Sequence, residues 1–309
     1  MVKGISTTKL AEICGVSQGT VDRALNNRKG ISEATKNKIL QVAEEYGYKP
    51  NFHARAMKGG KSMLIGVIVP DLDNPYFSGL ITEIEKNVSE KGFSVVVAFS
   101  NGKEKREREC IEKLCQTSVD GIVICPVNQG EEFENYLLSL NVPIVTAGNR
   151  LNNIPYVGIN EALAMKEVTD YVISRGYEKL IYVKPPFGEG NALTQSERLN
   201  AFVASVQVHG KEYAISDMLS AMIHIDVSKK NALICPTDIY ALKLYSIAAQ
   251  QKIGVIGFDN LRIIDELNLR LDSVSYDVLS AARGIADYIT ERKEIGGYIS
   301  HKLIKRGSI

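Results

Sequence analysis

The 309-residue chain has no apolar run approaching eighteen residues and no apolar leader near its N-terminus. A membrane-spanning helix needs about twenty predominantly apolar residues, so neither a span nor a secretory signal is expected. Cysteine is scarce and unpaired in pattern: Cys14, Cys110, Cys115, Cys125 and Cys235 are odd in number, with no Cys-x-x-Cys. Reduced thiols in a cytoplasmic compartment are therefore expected, and no disulfide framework. His53, His209, His224 and His301 have no ligand spacing with cysteine or with one another, so no metal is expected. There is no Gly-x-Ser-x-Gly elbow. Gly59-Gly60-Lys61-Ser62 has the tail of a phosphate loop, but Arg55 stands where its first glycine belongs and the strand follows instead of preceding. Gly188-Glu189-Gly190 lacks the strand-to-helix setting of a dinucleotide fingerprint. Nothing pairs a nucleophile with a base, so neither catalysis nor a cofactor is expected.

What the chain does have is a division of charge. The net charge of +1 conceals it. Residues 1–61 hold eleven Lys and Arg against five Asp and Glu, a net of +6, which leaves −5 for the remainder. A basic module on an acidic body is expected where one end of a chain meets a polyanion.

Periodicity divides the chain in the same place. From Ser6 to Gly47 the apolar spacing is helical, with no alternating run. A first helix is expected from about Thr8 to Cys14, with Leu10, Ala11, Ile13 and Cys14 inward and Gly15 turning the chain. Ser17 is placed to cap a second helix, Gln18 to about Leu25, burying Val21, Ala24 and Leu25. A third follows from the cap Ser32 through Ile39, Leu40, Val42 and Ala43 to Tyr46. Two helices joined this way form a helix-turn-helix, whose second helix offers its N-terminal side chains to base edges. Tyr48 to Ser62, with Pro50, Asn51 and Gly59-Gly60, has the composition of a basic connector.

Beyond it Leu64-Ile65-Gly66-Val67-Ile68-Val69 is a run suited to a strand buried on both faces. Strand-like segments at Val95–Phe99, Gly121–Cys125, Pro143–Thr146, Lys179–Val183, Ala232–Cys235 and Gly254–Gly257 alternate with amphipathic stretches such as Phe77–Lys91, Glu104–Thr117 and Leu163–Arg175. The alternation implies an α/β fold of parallel sheets flanked by helices. About 250 residues suit two such lobes with a cleft between them. Asn74 and Pro75 suit a helix start after the first strand. They place Tyr76 and Phe77 at the carboxyl edge of a parallel sheet, where open α/β folds bind ligands.

The order and spacing of Thr8-Lys9-Leu10-Ala11, Gly15-Val16-Ser17, Thr20-Val21, Arg23-Ala24-Leu25-Asn26, Ser32-Glu33-Ala34-Thr35 and Glu45-Tyr46-Gly47-Tyr48-Lys49-Pro50-Asn51 resemble the lac-repressor (LacI/GalR) family headpiece. The resemblance implies three parts: a DNA-binding headpiece at 1–49, a hinge at 50–61 and a core like periplasmic binding proteins at 62–309. It implies one core lobe of about 62–159 with 277–295, and another of about 160–276 with 296–309. It assigns DNA contacts to Thr8, Ser17, Gln18, Gly19, Thr20, Arg23, Asn26, Asn51 and Ala54. Met57 takes the place of the hinge residue that wedges into the minor groove. Gln18 suits adenine and Arg23 a guanine or phosphate. Gly19 reads no base with a side chain. Asp22, where the family more often has serine, is tolerable near phosphate if Arg23 or Arg28 pairs it or if it accepts a cytosine amino hydrogen.

In the core the resemblance assigns a cleft to Asn74, Tyr76, Phe77, Asn149, Arg150, Asn160, Arg198, Asp238, Asp259 and Tyr276. Aromatic faces and bidentate polar groups suit a small carbohydrate or sugar phosphate. Asn149 stands for the usual Asp, Thr237 precedes Asp238 where Asn is common, and Tyr276 stands where Gln is frequent. The implied protein is a homodimeric repressor on a pseudo-palindromic double-stranded operator, with no membrane partner. The alternative is a sugar-binding protein or carbohydrate-active enzyme whose N-terminal helices contact protein.

Overall fold

The computed structural model describes residues 5–25, 27–48, 61–185 and 192–309. The chain divides into two compact units, residues 1–62 and 63–309.

In the first unit α1 (Thr7–Cys14), α2 (Gln18–Leu25) and α3 (Glu33–Glu45) pack around Leu10, Ala11, Cys14, Val21, Ala24, Ile39 and Ala43. Each helix start is capped by a hydroxyl. Ser6 Oγ accepts from Lys9 N at 3.2 Å, Ser17 Oγ from Thr20 N at 3.1 Å and Ser32 Oγ from Thr35 N at 3.1 Å. Each cap satisfies an amide the helix leaves unpaired, worth about 1 kcal/mol. Gly15 ends α1 at φ 70°, a conformation that disfavours a Cβ, and lets Val16 N reach Ala11 O at 3.0 Å. Ile13 and Leu40, expected inward, are exposed. Three short helices around so small a core bury one narrow stripe apiece.

In the second unit the first sheet has the order β11 (Gly297–Tyr298), β5 (Tyr156–Gly158), β4 (Ile144–Ala147), β3 (Gly121–Ile124), β1 (Leu64–Val69) and β2 (Ser94–Phe99), all parallel. Alternate residues of β1 serve opposite faces. Ile65, Val67 and Val69 pack with α4 (Pro75–Ser89) and α11 (Val278–Glu291), and Ile68 packs with α5 (Glu104–Gln116) and α6 (Glu131–Leu138). Burial on both faces explains why this strand is apolar throughout.

The second sheet runs β7 (Glu212–Asp217), β6 (Lys179–Lys184), β8 (Asn231–Ile234) and β9 (Gly254–Ile256), also parallel. Its helices are α7 (Glu161–Ser174), α8 (Ala192–Val208), α9 (Asp238–Gln250) and the short α10 (Arg262–Glu266). An antiparallel pair, β10 (Ser273–Tyr276) with β12 (His301–Ile304), joins β9 through an Ile256–Asp272 bridge. The chain was expected to return to this lobe for good after residue 295. Instead Gly297 and Tyr298 pair with Val157 and Gly158 of the first sheet. A two-residue strand leaves no periodicity to read.

Candidate functional site

On the first unit Thr8, Ser17, Gln18 and Gly19 are exposed and Thr20 is half-buried, all at or near the starts of α1 and α2, and Arg23 is exposed in the last turn of α2. Gln18 Nε2 donates to Thr8 Oγ1 at 2.7 Å, which orients its amide. The Ser17 and Thr20 hydroxyls lie 3.0 Å apart. Arg28 Nη1 donates to Asp22 at 3.2 Å, so the carboxylate is paired by one of the arginines named for it. Asn26, Asn51, Ala54 and Met57 lie outside the described residues.

On the second unit a cavity of about 430 Å³ opens between the two sheets, within the range of small-ligand pockets. The β1–α4 connection supplies one wall. Asn74 caps α4, its Oδ1 accepting from Tyr76 N at 3.0 Å, and Pro75 fills the first turn. The cap turns Tyr76 and Phe77 into the cavity with their rings edge to face at 5.5 Å. Tyr276, leaving β10, meets Tyr76 edge to face at 5.5 Å from the opposite lobe. Asp259, at φ 100°, projects from the end of β9. Such a backbone is costly for a residue with a Cβ and recurs where a side chain must be aimed. Its carboxylate accepts from the Tyr276 hydroxyl and from Asn74 Nδ2, the latter at 2.9 Å across the cleft.

Arg198 also lines this cavity, but its charge is engaged. It is 5% exposed, with Nε on Glu161 at 2.7 Å, Nη1 on the Pro236 carbonyl at 2.5 Å and its plane 4.0 Å over Phe258. Glu161 is likewise buried; burial lifts its carboxyl above the usual range although Arg198 pulls it down. Burial raises Asp259 too, against the opposing pull of Arg198, Tyr276 and Asn74.

Four expected residues do not line the cavity. Asn149 is 1% exposed and ties the lobes together beneath it. Its Nδ2 donates to Pro126 O at 2.7 Å, and its Oδ1 accepts from Thr194 N at 3.1 Å. Arg150 is exposed and reaches the Tyr298 hydroxyl at 3.3 Å on a different face of the first lobe. Asn160 caps α7, accepting from Leu163 N at 2.9 Å. Asp238 is fully buried under the Asp259 loop. It accepts from Leu261 N at 2.7 Å and from Ser273 Oγ at 2.6 Å. A Cβ on Gly257 would lie 2.1 Å from Asp238 Oδ1, so only glycine admits this approach. Burial and the neighbouring Asp259 push the Asp238 carboxyl up to about 7.

Other lining residues were not singled out from sequence, among them Asp73, Glu161, Gln195, Tyr240 and Lys243. Gln195 lies three residues before Arg198 on α8 and shares its face, a spacing that could have been used. Asp73 and Glu161 sit beside expected residues at strand-to-helix junctions. Lys243 and Tyr240 carry no local signal. The buried Cys125 thiol is pushed up to about 12, so it stays protonated and unreactive.

A helix-turn-helix unit followed by two parallel-sheet lobes around a polar, aromatic cavity defines a class: DNA-binding regulators with a sensor built like a periplasmic binding protein. The description "periplasmic binding proteins and sugar binding domain of LacI family" matches residues 62–233, and that of lacI-family bacterial regulatory proteins matches 9–51. The chain belongs to the LacI family and is a DNA-binding transcriptional regulator. It is 31% identical to the HTH-type transcriptional regulator PtxS of Pseudomonas putida over 65% of this chain and 60% of that one. It is 25% identical to catabolite control protein A of Staphylococcus aureus over 95% of both. Among solved structures, the lac repressor dimer bound to operator and the anti-inducer ONPF superposes with a TM-score of 0.83. That likeness covers 99% of this chain and all of the other at 17% identity. No described helix is long and apolar enough to cross a membrane.

Proposed function

We propose that the chain acts as a homodimeric cytoplasmic repressor whose operator affinity is set by a small carbohydrate-like effector held between the core lobes. The observation that carries this reading is the cavity of about 430 Å³, where Tyr76, Phe77 and Tyr276 meet Arg198, Asn74 and Asp259. Aromatic faces stack on the C–H face of a sugar ring, and the polar groups exchange hydrogen bonds with its hydroxyls. Tyr276 and Asp259 stand on one lobe and Tyr76 and Asn74 on the other, so a ligand touching both biases their closure. Residues 1–49 serve as headpiece, 50–61 as hinge and 62–309 as sensor. The residues assigned to DNA are Thr8, Ser17, Gln18, Gly19, Thr20, Arg23, Asn26, Asn51, Ala54 and Met57. A dimer supplies the two headpieces that a two-fold operator needs.

Selection from a randomised palindromic library by gel shift should return one two-fold symmetric site. No preference over non-specific DNA at physiological salt would overturn the reading. The hinge has its own test. Met57→Ala should weaken specific binding and leave the salt-driven, non-specific component almost unchanged. Equal loss in both would remove the wedge.

A further inference from the structure

The charges lining the cavity oppose an anionic ligand. Asp71, Asp73, Glu161 and Asp259 face Arg198 and Lys243, four carboxylates against two cations. Arg198 and Glu161 cancel one another in a buried pair, and Lys243 is exposed at the rim with its Nζ 5.6 Å from the Tyr240 ring. Helix starts are the other usual seat of a phosphate. Here three of them give amides to protein oxygens, Tyr76 N to Asn74, Leu163 N to Asn160 and Thr194 N to Asn149, and a further one, α9, has no side-chain cap but carries Asp238 in its first turn. A phosphate would find no unpaired guanidinium and would meet Asp259 instead.

The same walls suit a cation. Each oxygen of Asp259 receives one hydrogen bond where a carboxylate oxygen accepts two. In the same lining, the buried Gln195 Oε1 and Thr237 Oγ1 atoms have no hydrogen-bond partner among the described residues, so acceptor capacity is left for a donor. Tyr76, Phe77 and Tyr276 add π faces, which attract an ammonium most strongly when it is desolvated. We infer that the effector is a polyhydroxylated amine, of the amino-sugar class, whose ammonium sits at Asp259, and that it is not a sugar phosphate. Hydroxyls are left for Arg198, Asn74 and Gln195, and the ring for the aromatic faces.

This inference rests on the reading of the cleft as an effector site, and one experiment separates the two. The full-length protein is titrated by calorimetry and thermal shift with glucosamine, galactosamine and mannosamine, their parent hexoses and the corresponding 6-phosphates, each up to about 10 mM. One amine should bind at least ~10-fold more tightly than its parent and its phosphate. Asp259→Asn, which keeps an acceptor for Tyr276, should erase that ~10-fold preference. A parent sugar or phosphate binding as well as or better than the amines overturns the inference and leaves the cleft reading intact. Amine binding unaffected by Asp259→Asn and by Tyr276→Ala places the ligand elsewhere and overturns both. Binding by none of the three amines also overturns the inference.

Discussion

The side-chain amide of Asn74 donates to the carboxylate of Asp259 over 2.9 Å, and the two residues belong to different lobes of the core. Asn74 has two functions. Its oxygen caps α4 and its nitrogen closes the cleft, so a helix cap doubles as a latch. An effector that competes for Asp259 acts directly on one of the contacts that bridge the lobes.

Asn74→Asp should separate those two roles. Aspartate caps a helix as well as asparagine does, so α4 should hold. Two carboxylates then face one another across the cleft, and one of them must protonate or withdraw. Small-angle scattering should show a larger radius of gyration at about pH 8 that returns toward wild type at about pH 5. A profile identical to wild type at both values would show that the latch does not hold the lobes.

Asp238 should make stability fall as pH rises. Its folded-state value of about 7 lies above the ordinary 3.8, so between those values the folded protein keeps a proton that the unfolded chain releases. The cost grows from about pH 4 and levels off above about pH 7, reaching about 4 kcal/mol at most at 1.36 kcal/mol per unit. Burial raises Asp259 in the same direction. Asp238→Asn keeps an acceptor for Leu261 N, and its amide nitrogen can donate to Ser273 Oγ in place of the bond it now accepts, so it should fold. Its unfolding free energy, measured by urea at about pH 5 and about pH 7.5, should differ less than that of wild type. An unchanged difference would mean that Asp238 is ionised throughout.

Arg198→Ala should cost about 3–5 kcal/mol, because it strands the buried Glu161 carboxylate. Loss of effector response in that variant would therefore not by itself identify a ligand contact. The double variant Glu161→Leu with Arg198→Met should recover part of the loss, and a urea double-mutant cycle measures how much. Strict additivity would rule out the coupling. Arg150→Ala should leave effector response intact, since its guanidinium meets Tyr298 away from the cavity.

Gln18→Ala should lower discrimination among operators by about 1–3 kcal/mol at the base pair it reads, with non-specific affinity little changed. Competition gel shifts against single-base operator variants would show it. Uniform weakening across every sequence would reassign Gln18 to the phosphate backbone.

The headpiece was legible almost residue by residue. Caps, glycine turn and apolar spacing act within one or two helical turns, so Ser17, Gly15, Val21 and Ala24 announce themselves locally. The core strands were legible where both faces are buried, as at Leu64–Val69. Edge and short strands were not. Glu212–Asp217 borders the second sheet with several exposed side chains, and Tyr156–Gly158 is only three residues long. The cavity was half legible. Asn74, Tyr76, Phe77, Arg198, Asp259 and Tyr276 line it, whereas Asn149, Arg150, Asn160 and Asp238 bond around it.

By itself the amino-acid sequence determined the division into a basic three-helix unit and an acidic α/β body, because charge, caps and hydrophobic period are properties of neighbouring residues. Only the tertiary structure decided which polar side chains face a ligand and which are consumed by the fold. Asn149 and Arg150 are adjacent, yet one is sealed between the lobes and the other lies on an outer face. Arg198 reads as a free cation until Glu161, thirty-seven positions away, is seen beside it. Hydrogen bonding saturates, so a donor's availability depends on partners that only folding assembles.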